Sequence, residues 1–294
     1  MQAGTVDFLP MDSSPASSEP TRCVVVILTF NSASIIRETV SQAQQVSREV
    51  FVVDSNSTDG TLEVLAELGC TPVQRPFKNY SDQRNWAIAQ VAGRYAWQLH
   101  LDADEVLDAE AIADIRAVLA QPSHDAYLIR RRDYFMGRML RFSGVNPWHL
   151  RLFKSGVGQC EARLYDQHFV ASTADTGRLA GFMHDKNSVT LSDWTARHNR
   201  WSDAEVEENS GPRRPEGDDV LKARLLGDAR ERTRFIKKLY YRLPIGMRAL
   251  SYFLYRYVLR LGFLDGKVGF YFAFFQALWF RMLVDAKMYE KRQS

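Results

Sequence analysis

CVVVILTF, residues 23–30, is an almost unbroken aliphatic and β-branched run, the pattern of a strand covered by other elements on both faces. A polar turn follows it, where Asn31, Ser32 and Ser34 offer N-caps to a helix through Ile35, Ile36, Thr39 and Val40. Residues 50–54 read as a second buried strand. Ser57-Thr58-Asp59-Gly60 then reads as a turn capping a helix through Leu62, Val64, Leu65 and Leu68, with Gly69 in the place of a C-terminal helix glycine. Residues 71–75 suggest a short third strand, 81–91 a third helix and 95–101 a fourth strand. Strands alternating with helices in this way predict an α/β fold built on a parallel, doubly wound sheet. Further on, an amphipathic helix is expected near 109–119, strands at 126–134 and 150–154, helical spacing over 192–206 and a linker by composition at 209–219.

The 294 residues, 46% apolar and 25% charged, suffice for one large domain or a domain with an appendage. Residues 1–21, rich in Ser and Pro and without a basic or apolar leader segment, read as a disordered tail. The main domain is expected over 22–210, a linker over 211–220 and a helical region over 221–294. Three scattered cysteines make neither a disulfide framework nor a metal cage and fit a reducing compartment. The net charge of +3 hides an asymmetry: from Arg213 onward eighteen Lys and Arg stand against eight Asp and Glu, so the body before it is acidic. A basic, aromatic end suggests an anionic surface as partner, and its apolar content favours membrane over nucleic acid.

Ligands of doubly wound sheets bind outside the carboxyl ends of the strands. Three polar clusters fall at such ends: residues 29–31, 54–59 and 102–105. In the last, Asp102 and Asp104 can turn two carboxylates toward one spot, since residues i and i+2 of an extended chain share a face. Hard divalent ions such as Mg²⁺ or Mn²⁺ bind through one or two carboxylates together with substrate phosphates.

With these pieces in order, the chain resembles the family 2 glycosyltransferases, enzymes of GT-A fold. The likeness is carried by Thr29-Phe30-Asn31, by residues 53–61, by Arg84-Asn85 and by Asp102-Ala103-Asp104, and continues more loosely to the C-terminus. Small bacterial enzymes similar to lipopolysaccharide-core and exopolysaccharide glucosyltransferases form the nearest subgroup. The resemblance implies a nucleotide-sugar donor and a lipid-linked or cell-surface glycan acceptor. It also implies that Asp54 contacts the base, that Thr29 and Asn31 frame the nucleotide, and that Asp102 and Asp104 hold the ribose and a Mg²⁺ or Mn²⁺ ion. Arg84 is expected to add a phosphate contact. Inversion at the anomeric carbon, also implied, needs a base. The corresponding region, residues 161–168, departs from the family's usual acidic pairs and offers Asp166, with Glu161 and His168 behind it. His184 falls where relatives carry a histidine near the diphosphate or the metal. Arg197-His198-Asn199-Arg200-Trp201 is similar to the Gln-x-x-Arg-Trp element of processive synthases, which would bring Arg200 to the diphosphate and Trp201 to an acceptor sugar; the same spacing also fits a buried helix face formed by Trp194, His198 and Trp201.

The stretch 239–284 is dense in aromatic and aliphatic residues interleaved with Arg242, Arg248, Arg256, Arg260, Lys267 and Arg281. It is expected to form amphipathic helices lying on the cytoplasmic face of the bacterial inner membrane, arginines at phosphate level, peripheral rather than spanning. A soluble helical hairpin packing on the catalytic domain, or on a second copy of the chain, is the other reading of this stretch. A processive synthase and a catalytically silent adaptor of the same fold are the alternative functions.

Overall fold

The computed structural model describes residues 23–145, 147–162, 167–186, 190–210, 235–236, 239–240 and 242–293. The expected N-terminal tail, the linker at 211–220 and Asp166 lie outside the described residues. Four strands of the first hundred residues, β1 (Cys23–Thr29), β2 (Val50–Asp54), β3 (Val73–Gln74) and β4 (Trp97–Asp102), pair in parallel, as the alternating pattern predicts. Later come β5 (Glu105–Leu107), β6 (Ala126–Phe135), β7 (Arg138–Met139), β8 (Trp148–Lys154), β9 (Gly158–Cys160), β10 (Phe169–Ala171) and β11 (Thr176–Asp185). The sheet order is β3-β2-β1-β4-β8-β6-β11-β5. Here β8 is antiparallel to β4 and β6, and β5 is antiparallel to β11; the other strands of this path share one direction.

The helices α1 (Ile36–Val46), α2 (Thr61–Glu67), α3 (Tyr80–Val91) and α4 (Ala109–Ala120) cover both faces. On one, Val25, Ile27 and Leu99 pack with Ile36 and Val40 of α1, Leu65 of α2 and Ile115 of α4; on the other, Val24, Val26 and Val53 meet Ala87 and Val91 of α3. Alternate residues of β1 thus enter different cores, which is why the strand reads as a continuous apolar run. The architecture is the doubly wound, mostly parallel α/β sheet expected of a GT-A-like domain.

Two local expectations are corrected. No side chain caps α1: the Ser32 carbonyl accepts the Ile36 N–H at 2.9 Å, and the N–H of Ser32 is itself held by Thr61 Oγ1 at 2.7 Å. The loop serves the neighbouring β2–α2 turn instead. The third strand shrinks to Val73 and Gln74, which pair with Val53 and Asp54.

The C-terminal part comprises α5 (Leu191–Ser210), α6 (Met247–Leu254), α7 (Gly266–Ala273) and α8 (Phe280–Gln293), with a wider turn at Phe274–Trp279 joining α7 to α8. Phe280 and Val284 pack on Val206 of α5, and Phe272 on Phe135, Leu140 and Trp194, so residues 247–293 share a core with α5 and the sheet. Polar clamps accompany the packing. Arg281 donates to both oxygens of buried Glu205 at 2.9 and 3.0 Å, Arg248 Nε to those of Asp285 at 2.8 and 3.0 Å, and Arg256 Nε to the Ser143 carbonyl at 3.1 Å. The expectation that these three arginines stand at a membrane surface is therefore corrected: they point inward, because the amphipathic helices turn their mixed face to the domain. Among the described residues no helix is long and apolar enough to cross a membrane.

Candidate active site

Thr29 and Asp54 end adjacent parallel strands as register partners, so the two expected nucleotide residues start side by side. Beyond them the chain turns sharply. Asn31 adopts a left-handed φ of 47°, which its short polar side chain tolerates by bonding locally. Its N–H donates to Ser57 Oγ and its Oδ1 accepts from the Thr58 N–H, both at 2.8 Å. Asp54 is fully buried and accepts from the Ser57 N–H at 2.8 Å and the Ser57 hydroxyl at 2.5 Å. The wall is stitched together before any ligand arrives, with one exception: Thr29 Oγ1 is buried without a hydrogen-bond partner.

At the end of β4, Asp102 accepts from Arg84 at 2.9 and 3.1 Å and from Arg151 of β8 at 3.2 Å. Arg151 also pairs with Glu105, both buried, and Glu105 accepts the Asp102 N–H at 2.9 Å. Burial alone would push the Asp102 carboxyl up; the two guanidiniums more than reverse this and hold it well below the usual carboxylate range. Arg84, expected at the phosphates, is thus spent on Asp102 here. It also lies over Phe169 at 5.1 Å and Tyr80 at 5.6 Å, ring faces that favour a cation.

Asp104 behaves oppositely. Burial, with Asp185, Asp102 and Glu105 as like-charged neighbours, pushes its carboxyl up to about 8. Asp185, the last residue of β11, is raised by burial as well, and its Oδ1 is buried without a hydrogen-bond partner. Its other oxygen lies 3.5 Å from Arg131, which Asp133 holds at 2.9 Å. Ionised together, Asp104 and Asp185 would carry more negative charge than their neighbours compensate, which is why both hold their protons more tightly than a free carboxyl.

Does that donor set fit a divalent cation? All its members are hard oxygens. Among the described residues no three His, Cys, Asp or Glu side chains form a group that could hold a metal ion. The chain would supply one or two carboxylates, and a diphosphate and water the rest, which is how Mg²⁺ is commonly bound. On that basis the residues fit.

Other expected residues go elsewhere. His184 lies on the opposite side of β11 from Asp185 and meets Tyr134 Oη at 3.0 Å and Asp108 at 3.6 Å, so the structure does not bring it to Asp104. Arg200 is exposed. One turn earlier on α5, Arg197 feels both Asp104 and Asp185 and stacks on Trp201 at 5.1 Å. Trp201 itself packs with Phe280 and Val284, and Trp194 and His198 stack at 3.4 Å, so the buried-face reading of this segment holds. Glu161 is buried; its backbone and side chain both engage the backbone of His168, at 3.0 and 3.2 Å. Asn85 fixes that corner by a two-way bond with the backbone of Cys160, at 2.8 and 2.9 Å.

The sequence pattern does not single out Arg131, Asp133, Arg151, Asp185 and Arg197. A signal existed for Arg151: a guanidinium between Leu150 and Leu152 in a buried strand demands an ionic partner.

The model of glycosyl transferase family 2 matches residues 24–174. An uncharacterized glycosyltransferase of Rickettsia bellii is 34% identical over 150 residues, 51% of this chain and 47% of its own. The lipopolysaccharide core biosynthesis glycosyltransferase LpsC of Rhizobium meliloti is 24% identical over 201 residues, 64% of this chain and 73% of its own. This chain spans about half the length, or less, of the Rickettsia relatives it matches. Among solved structures, the mannosyltransferase PcManGT from Pyrobaculum calidifontis, in complex with GDP-Man and Mn²⁺, aligns over 96% of this chain and 91% of its own, with 15% identity and a TM-score of 0.46. At that level of likeness neither ligand carries over. The family match, which covers more than half of the chain, is what places it: the protein belongs to glycosyl transferase family 2.

Proposed function

We propose that the protein moves a sugar from a nucleotide-sugar to a hydroxyl of a lipid-linked or cell-surface glycan, by single displacement with inversion. The observation that carries the reading is the convergence of Thr29, Asp54, Asp102, Asp104 and Asp185 on one edge of the sheet in a chain of this family. The likeness to LpsC supports a lipopolysaccharide-type acceptor.

In this reading Asp54 receives the base, and the unpartnered Thr29 hydroxyl meets a polar atom of the nucleoside. Arg84 leaves Asp102 in part for the diphosphate, which its fork can grip through two oxygens. Mg²⁺ or Mn²⁺ would be held by Asp104, with Asp102 or Asp185 beside it, and supplies positive charge to the leaving diphosphate. The acceptor oxygen bonds to the anomeric carbon as the carbon–oxygen bond to the diphosphate breaks. The diphosphate departs with the electron pair, and the hydroxyl proton passes to a carboxylate. Asp166, outside the described residues, is assigned that proton on its place in the sequence, with Glu161 and His168 as the candidates behind it.

The test is transfer from a panel of nucleotide-sugars, with nuclear magnetic resonance on the product. A product of inverted anomeric configuration is expected. Asp166→Asn should lower turnover by roughly a hundredfold or more, the scale of a lost general base. A retained configuration would overturn the single displacement.

A further inference from the structure

The outer surface of α6 and of the turn that joins it to α7 is apolar. On α6, Met247, Leu250 and Leu254 form one stripe, 62%, 50% and 46% exposed, while the opposite side buries Arg248 and Ala249. At the corner between α6 and α7, Leu259, Phe263 and Leu264 project further, Leu259 being 75% exposed.

This corner is rigid. Asp265 accepts from the backbone N–H groups of Arg141, Phe142 and Ser143 at 3.0, 3.0 and 2.7 Å and from the Ser143 hydroxyl at 2.7 Å. Arg256 grips the Ser143 carbonyl from the other side. Gly262 and Gly269 meet so closely that a Cβ on Gly269 would lie 2.2 Å from the Gly262 carbonyl oxygen. Leu261 is held at a φ of 58°, an uncommon conformation for a residue with a branched side chain. A projecting apolar corner is thus held by polar bonds, of which that of Arg256 is buried.

The charge around it has one sign. Between residues 242 and 272 the basic side chains reaching solvent are Arg242, Arg260 and Lys267, and the one acid of that span, half-buried Asp265, accepts from backbone N–H groups. We propose that the stripe and corner anchor the protein to an anionic lipid surface, with Leu259, Phe263 and Leu264 among the acyl chains and the cations at headgroup phosphates. The single sign favours lipid over a second copy, which would set cations against cations. The anchor also touches the site. The loop pinned by Asp265 continues to Val145, whose N–H is held at 2.9 Å by Asp133, the partner of Arg131 beside Asp185. That a lipid-linked acceptor arrives at this edge rests on the transfer reading; the anchor itself does not.

Flotation of the full chain with vesicles tests it. Neutral phosphatidylcholine vesicles are compared with vesicles that also carry phosphatidylglycerol. Binding should be about tenfold or more stronger to the anionic vesicles, and L259E/L264E should lose it by a similar factor with its unfolding midpoint and its donor hydrolysis in the absence of vesicles unchanged. Reversing two cations, R242E/K267E, should cost about fivefold for each charge. No flotation of the wild type, flotation of both variants at wild-type level, or a wild-type dimer that L259E/L264E dissociates would each overturn the anchor. Failure of donor hydrolysis in the wild type would count against the transfer reading alone.

Discussion

Asp104 is the residue on which pH should act most directly. Its folded carboxyl, at about 8, lies above the ordinary 3.8, so the folded metal-free protein holds a proton there across the window between these values while the unfolded chain does not. Its contribution to stability is present at low pH and is lost as pH rises toward 8. A divalent cation must displace that proton. The dissociation constant for Mn²⁺, measured by paramagnetic resonance, should therefore rise roughly tenfold for each pH unit from 8 down to 6. An affinity independent of pH would count against Asp104 as a ligand. Arg151 is tested by stability instead. Arg151→Met leaves Glu105 buried without its cation, and urea unfolding should show a loss of about 3–5 kcal/mol, the usual result of stripping one partner from a buried pair. At this scale Asp54, Asp102 and Asp104 were legible because their positions follow strand ends, which periodicity predicts. Asp185 and Arg197 were not, since what brings them to the edge is the reach of β11 and the rotation of α5, both set by long-range packing. His184 and Arg200 face away from that edge for the same reason: one residue along a strand, or three along a helix, changes the facing surface.

Among the elements, the first sheet half is legible in its apolar runs and Gly69, although neither α1 nor α2 takes a side-chain cap. The insertion of β8 between β4 and β6 is not legible, because an antiparallel pairing across some fifty residues leaves no local mark. The C-terminal helices show the limit of charge patterning. Interleaved arginines look alike in sequence whether they meet phosphate or an internal acid; only the tertiary partners Asp285, Glu205 and Ser143 separate Arg248, Arg281 and Arg256 from Arg242 and Lys267. Asp265 carries the corner, and Asp265→Ala should lower stability by about 3 kcal/mol, since it removes charge-assisted bonds to three backbone N–H groups. Thermal unfolding with hydrogen exchange at Arg141, Phe142 and Ser143 would show it; unchanged protection of those amides would mean the loop is held by something else.

For the molecule as a whole, the buried neutral histidines set a limit on the acid side. Burial pushes His198 down to about 4 and His100 to about 3, against an ordinary 6.5. Between pH 6.5 and these values the unfolded chain takes up protons that the folded protein refuses, so stability falls as pH drops through that window. His198 alone accounts for a loss on the order of 3 kcal/mol by pH 4. Urea midpoints at pH 7 and 5 should separate clearly, and His198→Gln should narrow the gap; equal midpoints would contradict this burial.

The central claim, transfer from a nucleotide-sugar at a carboxylate edge that holds a divalent ion, is met most directly by one assay. Nucleoside diphosphate release from a panel of nucleotide-sugars is followed with Mn²⁺ or Mg²⁺, then with a chelator, for the wild type and for Asp104→Ala. Release from one donor that needs the metal and vanishes with Asp104→Ala is the predicted result. Silence across the panel with a membrane lipid extract supplied as acceptor, or turnover that survives both the chelator and Asp104→Ala, would contradict it.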